Sequence, residues 1–171
     1  MSRAAAVVAF GTLLNCAAAS EAQDAARPPF EFKGQRFDQP VDMARPEFKL
    51  CKPAGEAEMS CRAYGTIVGT FATLDYKIFR GKAYYLSITI PRSFHGQAVA
   101  AFSAKYGQPC EVTNMPWRNA LGMTQPNSLT MFCMRTGKLV AFAIGEQVDQ
   151  ARAVYIDEAN APPDRPAPVD F

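Results

Sequence analysis

Histidine and tryptophan each occur once in the 171 residues, and several motifs that would announce a chemistry are absent: a glycine-rich phosphate loop, a Cys-x-x-Cys pair and a dinucleotide fingerprint. With His95 the only histidine, any Ser-His-Asp or Cys-His mechanism would have to run through that one ring. No partner for it is identifiable in the sequence, and its place after Phe94, where a helix is expected to start, predicts an exposed first-turn residue. Structural zinc is disfavoured as well, because the cysteines are too far apart for a zinc knuckle and no histidines accompany them.

Charge of one sign is also missing. Lys and Arg total 18 against 16 Asp and Glu, a formal net charge of +2, and the two signs alternate along the chain. Nucleic-acid binders cluster their cations on one face, so no nucleic-acid partner is expected. Long hydrophobic runs are lacking too. The apolar stretch Ala4 to Leu14 falls well short of the roughly 20 residues that span a bilayer, so no transmembrane segment is expected.

That short run has another reading. Arg3, the apolar stretch, and the small residues Ala17, Ala18, Ala19, Ser20 and Ala22 follow the order of a secretory signal, expected to occupy residues 1–22. Leu13 and Leu14 before Cys16 suggest a lipoprotein signal, but Asn15 stands where such signals carry a small residue, so a lipid anchor at Cys16 is not favoured. A periplasmic or secreted location follows, and it changes what the cysteines mean. Beyond the signal the chain keeps Cys51, Cys61, Cys110 and Cys133, an even number, which in an oxidising compartment reads as disulfides. Four cysteines permit three connectivities, and closure of the shorter loops favours Cys51 with Cys61 and Cys110 with Cys133.

Periodicity then places the elements. Leu74, Tyr76 and Ile78 alternate with Asp75 and Lys77, and Tyr84, Leu86, Ile88 and Ile90 alternate with Tyr85, Ser87 and Thr89. Arg80-Gly81-Lys82 between them reads as a hairpin link. Gly65 to Thr70 is expected to form a strand ahead of that hairpin. Phe30, Phe32 and Phe37 around Gly34 suggest a short strand pair packing its aromatics on the domain, while Pro40, Pro46 and Pro53 leave the rest of Phe30 to Cys61 as short strands or turns. After Pro91, Ser93 offers an N-cap, and Val99, Phe102 and Tyr106 make one apolar helical face over about residues 94–106, stopped by Gly107. Leu129 to Arg135, Leu139 to Ile144 and Arg152 to Asp157 read as three more strands, the first two joined through Thr136-Gly137. The expected fold is α+β: a small antiparallel sheet with the helix on one face and two disulfides, forming one domain over 30–160 between a flexible lead-in (23–29) and a proline-rich disordered tail (161–171).

Function is constrained far less. Glu111, Glu146, Asp149, Asp157 and Glu158 supply carboxylates that a small envelope hydrolase could pair, and Met115, Met123, Met131 and Met134 are soft ligands that also serve as ordinary core filling. The segment Thr113 to Ser128 is long for a connection and carries Trp117 beside Arg118, residue types enriched at interface hot spots. The favoured expectation is therefore a non-catalytic module with no cofactor, binding an unidentified protein or envelope component through Trp117 and Arg118. A carboxylate hydrolase and a carrier of a small ligand or metal in a cavity between helix and sheet are the alternatives.

Overall fold

Three X-Gly pairs set the layout of the first half of the chain. A computed structural model describes residues 27–118, 121–143 and 149–163. Within it Lys33-Gly34, Val68-Gly69 and Arg80-Gly81 have positive φ at both positions, 49° and 79°, 46° and 81°, and 49° and 79°. That backbone is the tight hairpin turn whose twist matches its strands, and glycine takes its second position without a Cβ clash. The first turn joins β1 (Glu31–Phe32) to β2 (Gln35–Arg36). After β3 (Cys51–Gly55), the second joins β4 (Glu58–Ile67) to β5 (Thr70–Phe79), and the third joins β5 to β6 (Lys82–Pro91). The expected hairpin at Arg80-Gly81 and the aromatic strand pair at Phe30–Phe37 are both present. The expected strand over Gly65–Thr70 is not: Val68-Gly69 turns the chain through its middle, dividing it between β4 and β5.

A 3-10 turn, Arg92–Phe94, leads directly into the helix α1, His95–Tyr106. Ser93 does not cap it; Phe94 holds the cap position and no side chain bonds there, because the 3-10 turn carries the chain in and its Arg92 carbonyl accepts the His95 N–H. Gly107 ends the helix at φ 88°, donating its N–H to the Ser103 carbonyl. Six strands follow: β7 (Glu111–Asn114), β8 (Trp117–Arg118), β9 (Thr124–Gln125), β10 (Ser128–Cys133), β11 (Lys138–Phe142) and β12 (Gln150–Ile156). Strands β3 to β7 and β10 to β12 build one antiparallel sheet of eight strands in the order β3-β4-β5-β6-β12-β11-β10-β7, while β1 with β2 and β8 with β9 form two-stranded pairs. The α+β reading holds, but the sheet is not small; it dominates the fold.

The core lies on one face. Cys61, Ala63, Leu74, Tyr76, Ile78, Leu86, Ile88, Ile90, Phe132, Leu139, Ala141, Ala153 and Tyr155 are buried there. Three pieces cover it. Helix α1 contributes Ala98 and Phe102, the latter edge-on to Phe132, while the aromatic hairpin brings Phe30 flat against Tyr155 with ring centroids 3.9 Å apart. Phe48, from the 3-10 turn Pro46–Phe48, meets Tyr76 edge-on. Such aromatic pairs contribute about 0.5–1.5 kcal/mol each beyond their buried area.

Both disulfides have the expected partners. Cys51 and Cys61 sit directly opposite each other on β3 and β4, and Cys110 bonds Cys133 across the base of the β7–β10 ladder. At the ends, Arg27–Pro29 are half-buried and the Pro28 carbonyl accepts the Arg135 N–H. The expected signal segment 1–22, lead-in residues 23–26 and tail residues 164–171 lie outside the described residues.

Candidate functional site

The segment Thr113 to Ser128 is not an irregular loop. Strand β7 pairs with β10 and β8 pairs with β9 in one uninterrupted register, from Leu129 opposite Thr113 to Thr124 opposite Arg118. Between the two ladders the Met115 N–H donates to the Asn127 carbonyl at 3.0 Å, continuing the same pairing. Pro116 breaks the ladder there without changing its register, since a proline lacks only the donor. The result is a hairpin arm that leaves the sheet at its β7 edge and bends back close to Gly122, at φ 79°.

Two ties hold the arm at its base. The Cys110–Cys133 disulfide closes it below β7. The Arg92 guanidinium, from the turn before α1, donates to the Gln125 side-chain oxygen at 2.6 Å and to the Pro126 carbonyl at 3.5 Å. A charge-assisted bond of that kind is about twice as strong as a neutral one, so the second strand of the arm is anchored to the helix start. Arg92 carried no motif, and only its cross-chain partner shows what it does.

The arm is unusually apolar for an exposed element. Val112, Met115, Leu121 and Met123 are all exposed, Leu121 to 83%. Trp117 is half-buried without joining the residues packed on the core, and Arg118 is exposed. As neighbours in a strand, Trp117 and Arg118 project from opposite faces of the arm. Trp117 shares its face with Met115, and Arg118 shares the other with Val112, so the arm presents two contact faces. Periodicity could have revealed this had the segment been read as strand.

Other candidates are dispersed. Glu111, on the edge strand, accepts from the Thr113 hydroxyl at 2.9 Å. Asp157 is fully buried after β12, where it accepts from the Asn160 side chain at 2.8 Å. Three antiparallel pairings separate β12 from β7, about 14 Å at the usual strand spacing. Asp149 is exposed and gives its carbonyl to the Arg92 N–H, Glu158 stands in the 3-10 turn after β12, and Glu146 lies outside the described residues. Met134 is buried in the core, Met131 lies half-buried on the opposite sheet face, and Met115 and Met123 are on the arm. Among the described residues no group of three or more His, Cys, Asp or Glu could hold a metal ion, and no helix is long and apolar enough to cross a membrane.

His95 differs from its expected exposure. It is half-buried, with Nε2 enclosed and without a hydrogen-bond partner. Burial, reinforced by the nearby Arg92 charge, holds its pKa below the ordinary histidine value. A neutral ring packed at the first turn of α1 is what this arrangement stabilises.

No family model, curated protein or solved structure matches the chain. The geometry has to carry the functional reading alone.

Proposed function

We propose that the chain is an exported, non-catalytic module that binds a protein or envelope component through its hairpin arm. The observation that carries this reading is the arm itself: a disulfide-closed, arginine-tied hairpin with Met115, Leu121 and Met123 exposed, Val112 exposed at its base, a half-buried tryptophan and an exposed arginine. An element built for stability alone would turn such side chains inward, and exposed apolar clusters on ordered scaffolds are characteristic of contact surfaces. A fixed hairpin also meets a partner with little ordering cost, since its backbone is already held. The two disulfides support an oxidising compartment, where such bonds persist.

The test is a pair of substitutions. Trp117→Ala and Arg118→Ala, singly and together, are expected to weaken partner binding about 30-fold at whichever face the partner uses, corresponding to a hot-spot loss of about 2 kcal/mol. Thermal unfolding of both variants should stay close to that of the parent. Undiminished binding by the double variant would place the contact surface elsewhere.

A further inference from the structure

The second face of the sheet divides into two chemically different halves. Across β4, β5 and β6 it mixes polar side chains, Arg62, Asp75, Lys77 and Thr89 among them, with the aromatics Tyr64, Phe71 and Tyr85. Across β10, β11 and β12 it carries Leu129, Met131, Val140, Phe142, Val154 and Ile156 instead. Met131, Val140 and Val154 lie side by side in register, with Val140 and Val154 buried although they point away from the main core.

This apolar half is hollowed. A groove of about 490 Å³ has Met131, Val140, Val154 and Ile156 in its floor, and its walls are the β10–β11 turn and the 3-10 turn Glu158–Asn160. That volume lies within the range of small-ligand sites, about 300–1,000 Å³. The rim is predominantly cationic: Arg27, Arg135 and Lys138 line it against one carboxylate, Glu158. An apolar floor with a basic rim selects a ligand that is apolar along its length and anionic at one end.

We propose that this groove binds an anionic amphiphile, a single acyl chain bearing a carboxylate or phosphate head. The chain lies along Met131, Val140 and Val154, and the head meets Lys138 and Arg135. The site is separate from the arm and on the sheet face opposite α1, so it is also distinct from a cavity between helix and sheet. The occupant is a free single-chain amphiphile of the fatty-acid class.

Titration of the purified full chain with laurate and with dodecyltrimethylammonium, alongside co-sedimentation with phosphatidylglycerol vesicles, tests the proposal. Laurate is expected to bind at least about tenfold more tightly than the cationic amphiphile, as one lost charge-assisted bond implies. Lys138→Glu, at an exposed position that leaves the core untouched, should reduce laurate binding about tenfold, and Val154→Asp should abolish it. Vesicle binding without laurate binding would overturn the proposal in favour of a membrane-surface contact through the basic rim. Equal affinity for both amphiphiles, or laurate binding indifferent to Lys138→Glu, overturns the proposal, as does binding to neither laurate nor vesicles. Because the arm residues are unaltered in these variants, failure here leaves the arm reading standing.

Discussion

Removing the two disulfides separately should reveal two different physical costs. Cys51–Cys61 closes a sequence separation of 10 and Cys110–Cys133 one of 23. Loop-closure entropy gives about 2.7 kcal/mol for the first and about 3.4 kcal/mol for the second at 25 °C. Chain entropy alone therefore ranks the arm-closing bridge as the larger loss. Burial reverses that order for serine variants. Cys61 is 1% exposed on the core side of β4, whereas Cys110 is exposed. A serine hydroxyl at Cys61 must be desolvated without an assured partner, adding about 1–3 kcal/mol. The Cys51→Ser/Cys61→Ser variant is thus expected to lose about 4–6 kcal/mol and the Cys110→Ser/Cys133→Ser variant about 3.4 kcal/mol. Alanine at the same positions should remove the hydroxyl penalty and bring the two losses within about 1 kcal/mol of each other. Urea unfolding followed by circular dichroism, with the m-value fitted for each variant because an opened cross-link expands the unfolded chain, gives these differences as free energies. If the serine variant at Cys51 and Cys61 proves the milder of the two, the burial argument is wrong. If neither variant shifts the midpoint, the disulfides contribute nothing to the native protein.

Three further outcomes are expected. Tyr84 donates its hydroxyl to the buried Glu58 carboxylate at 2.7 Å; Tyr84→Phe should cost about 1–3 kcal/mol by urea unfolding, because it deprives a buried acceptor of this donor. Gly137→Ala would drive a Cβ into the Ile156 carbonyl oxygen, so a loss of stability at the upper end of overpacking costs, about 3 kcal/mol by urea unfolding, is expected even though alanine is ordinarily a mild change. His95 has a lowered pKa in the folded state, so the unfolded chain binds its proton first as pH falls. Stability is then full above about 6.5, the unfolded value, and declines until pH passes below the folded value. His95→Gln should flatten that part of the stability–pH profile, and an unchanged slope would refute the assignment.

Much of the architecture was legible where side chains alternate strongly. Strands β5 and β6 and the apolar face of α1 follow directly from Leu74–Ile78, Leu86–Ile90 and the spacing of Phe102 and Tyr106. The disulfide partners were legible from parity and loop length. Strand β4 was not, because its core side is Cys61, Ala63 and Gly65 while its larger side chains, Arg62 and Tyr64, face solvent. Those small residues leave room for the Pro46–Phe48 turn, a tertiary reason that no local pattern expresses. The arm was obscured by Pro116 and Pro126, which read as loop residues but sit in a hairpin whose register they do not disturb. Trp117 and Arg118 were singled out as a pair, yet strand geometry sends them to opposite faces. Thr136-Gly137 was recognised as a turn, although its glycine is required by the approach of the Ile156 carbonyl. The apolar second face was hidden for a related reason. Val140 falls between core residues in the continuous apolar run Leu139–Phe142, so no alternation marks it as facing the other way, and Val154 stands where the Gln150 and Arg152 side of β12 turns apolar.

If the arm is where this domain meets its partner, as proposed, a crosslinker placed on it captures that partner. Site-specific photocrosslinking in the intact producing cell tests this most directly, with the crosslinker at Met115 on the arm and, as a control, at Glu56 in the β3–β4 turn on the opposite edge of the sheet. A discrete adduct is expected from Met115 that Trp117→Ala abolishes, and none from Glu56. An adduct from Glu56 with none from Met115, or a Met115 adduct indifferent to Trp117→Ala, would contradict the proposal.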